Sequence, residues 1–185
     1  MDIPDAVRHS SSRVVFESYA DLGYNYRMTD LQAAVAREQL RRLPEVLERR
    51  RKLAARYKTL LNGKPFITAP MEPEWAHPNW QSYCVRLCDD LRQRDVMQIL
   101  LDHGIATRRG VMCAHREPAY EGNSWRCGSR DCSRESGCNH LRESEGAQDH
   151  SIIVPLFHDL TEQQQERVVA ELIAATEACA AGSVG

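Results

Sequence analysis

The sequence predicts an α+β domain, with a long kinked helix near the N-terminus followed by a small sheet with helices on one face. Three observations lead there. Helical spacing persists from Thr29 to about Leu61. Two apolar stretches, Trp80 to Leu87 and Ser151 to Leu156, are strand-like in length and in their β-branched or alternating content. A second amphipathic run closes the chain after Asp159-Leu160-Thr161. The element order is then helix, strand, helix, strand, strand, helix, and no internal repeat interrupts it.

Each element has a local reason. Residues 1–28 read as an approach segment belonging to a larger body, with one short apolar patch at Val14-Val15-Phe16. The stretch Gly23-Tyr24-Asn25-Tyr26-Arg27-Met28-Thr29-Asp30-Leu31-Gln32-Ala33-Ala34 then reads as a tight loop entering a helix. Gly23 permits a sharp turn, and Thr29 with Gln32 spells a capping box. Asp30 places an anion where the helix dipole favours one. Leu31, Ala34 and Val35, then Leu40, Leu43 and Leu47, make one expected buried face, continued by Leu53, Ala54, Tyr57, Leu60 and Leu61. Pro44 lacks an amide hydrogen and predicts either a kink or the start of a second helix. Asn62-Gly63 ends the run, so residues 29–62 form a linking helix and 63–185 a small α/β domain.

The four prolines between Lys64 and Asn79 predict an extended connection without an element of its own. Trp80 to Leu87 alternates as a strand. Val96, Ile99 and Leu100 mark a helix over Asp90 to His103, closed by Gly104, and Ile105 to Arg108 is a short strand. Ser151 to Leu156 is another strand. The closing helix buries Val168, Val169, Leu172 and Ile173.

Composition narrows the function classes. A chain of 185 residues supports one ordinary core. Its net charge of -2 supplies no field for nucleic acid or anionic membrane. No apolar run approaches the roughly 20 residues that span a bilayer, and Met1 to Ser12 contains no apolar signal core. A cytoplasmic, reducing setting is the default expectation. The seven cysteines, an odd number, do not describe a disulfide framework.

On local physics alone, Gly23 to Ala34 is a capped helix with a polar approach loop. Its wording, however, closely resembles the segment that opens the C-terminal part of the DegT/DnrJ/StrS family of sugar aminotransferases. The resemblance continues through Gln39-Leu40, Arg49-Arg50-Arg51, Tyr57, Gly104 to His115 and Ile152-Ile153-Val154-Pro155-Leu156. It implies the C-terminal small domain of a pyridoxal-phosphate (PLP) enzyme of the aspartate-aminotransferase fold type. The implied reaction adds an amino group to a keto group on a nucleotide-linked sugar. It also implies a homodimer, or a large domain that precedes this one.

Transamination needs a lysine that anchors PLP covalently and moves a proton. The only lysines are Lys52, Lys58 and Lys64, the first two on the long helix and the third just past it. None matches the serine-rich loop that carries the lysine in the family, so the chain alone is expected to be inactive. What the resemblance implies instead is a supporting shell. Asn25 would donate to the phosphate of the partner subunit's PLP, a suitable task for a neutral amide at a capped helix. Arg27 is a lesser anion contact, and equally reads as a structural arginine.

A second cluster, Thr107-Arg108-Arg109-Gly110 leading to His115, lies near the substrate in the resembled family. Arg108, Arg109 and His115 are the expected substrate contacts, since adjacent guanidiniums suit a diphosphate. Neighbouring strand residues point to opposite faces, so one of the two arginines reaches any given ligand. An exposed basic turn is the competing reading.

The third cluster is an insertion at 121–141. Cys127, Cys132, Cys138 and His140, with Cys113 as a fifth member, are zinc-ligand types at a spacing that fits no common finger. Free thiols in a family insertion are the favoured reading, and a small zinc-binding domain is the alternative. A truncated, non-catalytic dimerisation module is a further alternative to the enzyme fragment.

Overall fold

The computed structural model describes residues 10–16, 28–120 and 141–182. The first element described in full is helix α1, Asp30–Leu61. The capping box is formed: the Gln32 amide donates to Thr29 Oγ1 at 3.3 Å, and the Thr29 amide donates to Gln32 Oε1 at 2.9 Å. Helix α1 continues through Pro44, which removes the second-helix alternative. Residues 41–45 are exposed, so water can satisfy the carbonyl that Pro44 leaves without a donor. The long cooperative run of helix formers on both sides carries the backbone across. At the other end Gly63 takes φ +68°, the left-handed turn its lack of a side chain allows.

Four strands follow: β1 Ile67–Thr68, β2 Tyr83–Leu87, β3 Arg108–Arg109 and β4 Ser151–Val154. They pair antiparallel throughout in the order β1-β2-β4-β3. Strand β1 lies inside the proline-rich connection, where no element was expected. Pro65 and Pro70 flank it without entering it, leaving Ile67 and Thr68 to pair with Leu87 and Arg86. Strand β3 falls on Arg108–Arg109 rather than Ile105 to Arg108, because Ile105 instead turns off the preceding helix, its amide bonded to the Leu100 carbonyl at 2.8 Å. Strand β4 stops before Pro155, which has no amide to extend the ladder.

Helix α2 spans Gln93–Asp102, helix α3 Arg142–His150 and helix α4 Glu162–Gly182. Helix α3 was not expected. Its sequence Arg-Glu-Ser-Glu-Gly-Ala-Gln-Asp-His has no apolar period to read. Tyr83, Val85 and Leu87 of β2 share one sheet face with Ile152 and Val154 of β4. That face joins a single core with Leu53, Ala54, Tyr57 and Leu61 of α1, Val96 and Leu100 of α2, and Val168 and Leu172 of α4. Ile99 and Ile173, expected in the core, are half-buried at its margin.

The N-terminal half of α1 departs from the expected buried face. Leu31 is 82% exposed, Leu40 64% and Leu43 40%, and burial begins only at Leu53. The apolar spacing is present there, but nothing among the described residues lies beneath it.

Three consecutive arginines tie the buried half of α1 to the loops. Arg49 donates to the carbonyls of His158 and Leu160, Arg50 to those of Trp80 and Gln81, and Arg51 to that of Pro78. Successive helix positions turn by about 100°, so the three guanidiniums fan toward different loops. The Gln165 side-chain amide donates to the Leu53 carbonyl at 2.7 Å, and the Tyr57 hydroxyl to that of Pro155 at 2.8 Å.

Candidate functional site

Asn25 and Arg27 lie outside the described residues, as do Cys127, Cys132, Cys138 and His140. The described part of the candidate site is therefore the hairpin from β3 through the loop 110–120, clamped on helix α3. The hairpin begins with a close approach. The Gly110 amide donates to the Ser151 carbonyl at 2.6 Å, and a Cβ at position 110 would collide with the Ser151 side chain and crowd Cys84 Sγ. Only glycine lets β3 lie this near β4.

Register places Arg108 opposite Ile153 and Arg109 opposite Ile152, on the two faces of the sheet. The adjacent arginines thus diverge, as strand geometry requires. Arg108 is on the exposed side. Arg109 turns inward and pairs with Glu117 at 2.8 Å, the side chains only 12% and 7% exposed. Two charges so far removed from water hold each other firmly, because losing either leaves the other buried and unpaired.

His115 sits in a single 3-10 turn, Ala114–Arg116, with Nε2 2.7 Å from Glu145 Oε1 of α3. One residue on, Arg116 donates to Asp149 Oδ1 at 2.7 Å. The Cys113 amide donates to the Gln148 side chain, whose residue is itself buried. Three of the four residues 113–116 therefore fasten the loop to one face of α3. The Gln93 side-chain amide joins the ends of the clamp by donating to the Gln148 and Ser151 carbonyls.

This arrangement holds an imidazole and a guanidinium in fixed positions, each beside a carboxylate. Burial pushes the Cys113 thiol up from its ordinary range, and does the same to Cys84. A raised value disfavours the thiolate, the form that acts as a nucleophile. Among the described residues no group of three or more His, Cys, Asp and Glu side chains could hold a metal ion.

The lysines are all at the surface. Lys52 Nζ binds Glu48 at 2.6 Å on the exposed side of α1, while Lys58 and Lys64 are exposed on its last turn and just beyond. None occupies the desolvated pocket that turns an ammonium into a nucleophilic amine at neutral pH.

Sequence reasoning missed Glu117, Glu145 and Gln148, the partners that give the hairpin its shape. Glu145 and Gln148 belong to α3, which has no apolar period, and Glu117 lies in a loop. The one available sign was the alternation of charge in His115-Arg116-Glu117.

Comparison with known proteins agrees with the fold. The DegT/DnrJ/EryC1/StrS aminotransferase family profile matches residues 5–173. Among solved structures, the aminotransferase TlmJ from Streptoalloteichus hindustanus is 27% identical with a TM-score of 0.67, covering 84% of this chain and 38% of its own. DesV from S. venezuelae, solved in complex with a ketimine intermediate, is 29% identical with the same score and the same coverage. The sugar aminotransferase CalS13 from Micromonospora echinospora, 24% identical with a TM-score of 0.59, covers 82% of this chain and 37% of its own and shares the fold. The chain thus spans about two-fifths of the length of the structures it matches. No helix among the described residues is long and apolar enough to cross a membrane.

Proposed function

The chain belongs to the DegT/DnrJ/EryC1/StrS aminotransferase family, and on that premise we propose that it is the C-terminal portion of a PLP-dependent enzyme that aminates a nucleotide-linked keto-sugar. The observation that carries this reading is the motif Gly23 to Ala34, which enters helix α1 through a complete capping box at Thr29 and Gln32. A capped helix gives the loop before it a fixed point of departure, as a residue that must hold a phosphate requires.

PLP, when bound, would carry the transferred amino group and supply the electron sink for the pair left on the substrate carbon. The lysine that anchors it belongs to the portion of the relatives that this chain does not span. No residue here replaces it, since Lys52, Lys58 and Lys64 are solvated. The chain's own residues bind and orient. Asn25, with Arg27 as a lesser contact, reaches the cofactor phosphate held by a partner subunit. Arg108, Arg109 and His115 face the sugar nucleotide from the β3 hairpin, Arg108 by direct approach and the other two through the shape that their carboxylate partners impose.

Association is part of the proposal. Met28, just before α1, and Leu31, Val35, Leu40 and Leu43 on its first half are exposed apolar side chains spread over more than one side of the helix. Apolar surface of this kind fits a folded partner, either the lysine-bearing large domain or a second copy. Residues 1–28 would then belong with that large domain and 63–185 form the small one.

Borohydride reduction after incubation with PLP tests the assignment. The chain alone should trap no stoichiometric adduct on any one lysine. Combined with a lysine-bearing large domain of the family, it should retain the cofactor, and Asn25→Ala should weaken that retention about tenfold, the loss of one phosphate hydrogen bond. A stable adduct on Lys52, Lys58 or Lys64 would sink the proposal.

A further inference from the structure

Residues 11–16 form a short strap along helix α2, and Phe16 belongs to it. The Gln98 side chain reads the strap's backbone in both directions. Its Oε1 accepts from the Val14 amide at 2.9 Å, and its Nε2 donates to the Ser12 carbonyl at 3.2 Å. Arg94, one turn earlier on α2, reaches the Val14 carbonyl at 3.4 Å. The Phe16 ring then lies under two guanidiniums. Arg94 Cζ and Arg109 Cζ are each 5.4 Å from its centroid, within cation–π range.

Arg109 is the same guanidinium that pairs with Glu117 inside the hairpin. An ion pair this buried needs cover that excludes water without competing for its hydrogen bonds. An aromatic face meets both needs: it is apolar, and its negative quadrupole attracts the cation. Leucine would provide the first and not the second.

We propose that Phe16 is a positioning residue: its ring latches the strap to the β3 hairpin by holding Arg109 on Glu117. This rests on the reading above that the hairpin residues Arg108 to His115 serve the substrate. The consequence is mechanical. Phe16 thus joins the strap at 11–16 to the hairpin that carries Arg109, so the two segments are fastened at one ring.

Hydrogen exchange on the full chain tests the latch without substrate or cofactor. Phe16→Leu, which keeps apolar bulk and removes the π face, should speed exchange about tenfold in both 12–16 and 108–117. Phe16→Tyr should restore the original rates, and amides of β2 and β4 should not change in either variant. The Arg109 side-chain protons should resonate upfield in the native chain, under the ring, and return to ordinary positions in Phe16→Leu. Release of the strap alone, with 108–117 unaffected, would overturn the proposal. So would a uniform acceleration that includes β2 and β4, which describes a merely structural residue. Because no readout involves amino transfer, failure of the latch leaves the proposed activity standing. An intact latch in a chain that fails to retain the cofactor with a lysine-bearing large domain would strike the activity alone.

Discussion

The two halves of helix α1 have similar composition and helical spacing but opposite surroundings. From Val46 onward the apolar side chains sink into the core, and Leu53, Ala54, Tyr57 and Leu61 are buried. From Asp30 to Glu45 residues of the same kinds stand in solvent. The polar residues differ in parallel. In the first half Arg41 pairs with its neighbour Glu38 on the helix surface. In the second, Arg49, Arg50 and Arg51 reach loops at least 27 positions away in sequence. Periodicity therefore says which side of a helix is prepared for a partner. It does not say whether the partner is in the same chain.

The largest contrast should come from truncating matched leucines. Leu53→Ala should destabilise the fold by about 2–5 kcal/mol through lost transfer energy and an unfilled cavity. Leu40→Ala should change stability by no more than about 0.5 kcal/mol. Denaturant titration of both variants checks the pair, and a comparable loss at Leu40 would mean that the exposed half is already covered in solution.

Arginines give the next contrast. Arg49→Met keeps the apolar stem but removes donors from the His158 and Leu160 carbonyls, an expected loss of about 1–3 kcal/mol. Arg41→Met removes only an exposed pair with Glu38, with an expected change of about 0–0.5 kcal/mol. Thermal melts of the two variants suffice to compare them.

A pH effect should belong to the buried half alone. Burial raises Tyr57 above its ordinary phenol range and pushes Tyr83 up to about 12. A raised folded pKa means that the native state holds the proton more tightly. The associated stability is therefore present below about pH 10, the unfolded tyrosine value, and disappears as pH climbs toward 12. Alkaline unfolding followed by tyrosinate absorbance should begin above pH 10 and weaken in Tyr83→Phe. At neutral pH that variant should be neutral or more stable by about 1 kcal/mol, because the buried Tyr83 hydroxyl has no hydrogen-bond partner among the described residues.

The smallest stability effect should carry the clearest functional signal. Leu31→Gln with Leu40→Gln should leave the melt within about 1 kcal/mol of the native chain. In sizing experiments it should weaken the association that the exposed apolar residues of α1 drive. A native chain that remains monomeric at high concentration would remove their proposed role.

Much of this was legible along the chain, because it depended on neighbours in sequence. Thr29 and Gln32 sit three residues apart and cap each other. Thr161 and Gln164 do the same at the start of α4, where the Gln164 amide donates to Thr161 Oγ1 at 3.2 Å. The family wording at Gly23 to Ala34 was readable for a similar reason: it is contiguous. Less legible were β1, α3 and the hairpin clamp, whose stabilising partners are remote. Ile67 is a strand residue because Leu87 is there to pair with it. Arg142 to His150 has no apolar period to betray a helix, and its Glu145 and Gln148 matter through His115 and Cys113.

By itself, then, the sequence determined the α+β class, the capped entry to the long helix and the family, since propensity, capping and motif wording all act over a few consecutive residues. Only the tertiary structure decided that Arg108 and Arg109 part to opposite faces, that Arg109 is buried against Glu117 beneath Phe16, and that the first half of α1 finds no cover among the described residues. Those outcomes depend on register and burial. They come from the free energy of contacts between segments far apart in the chain, which local spacing does not encode.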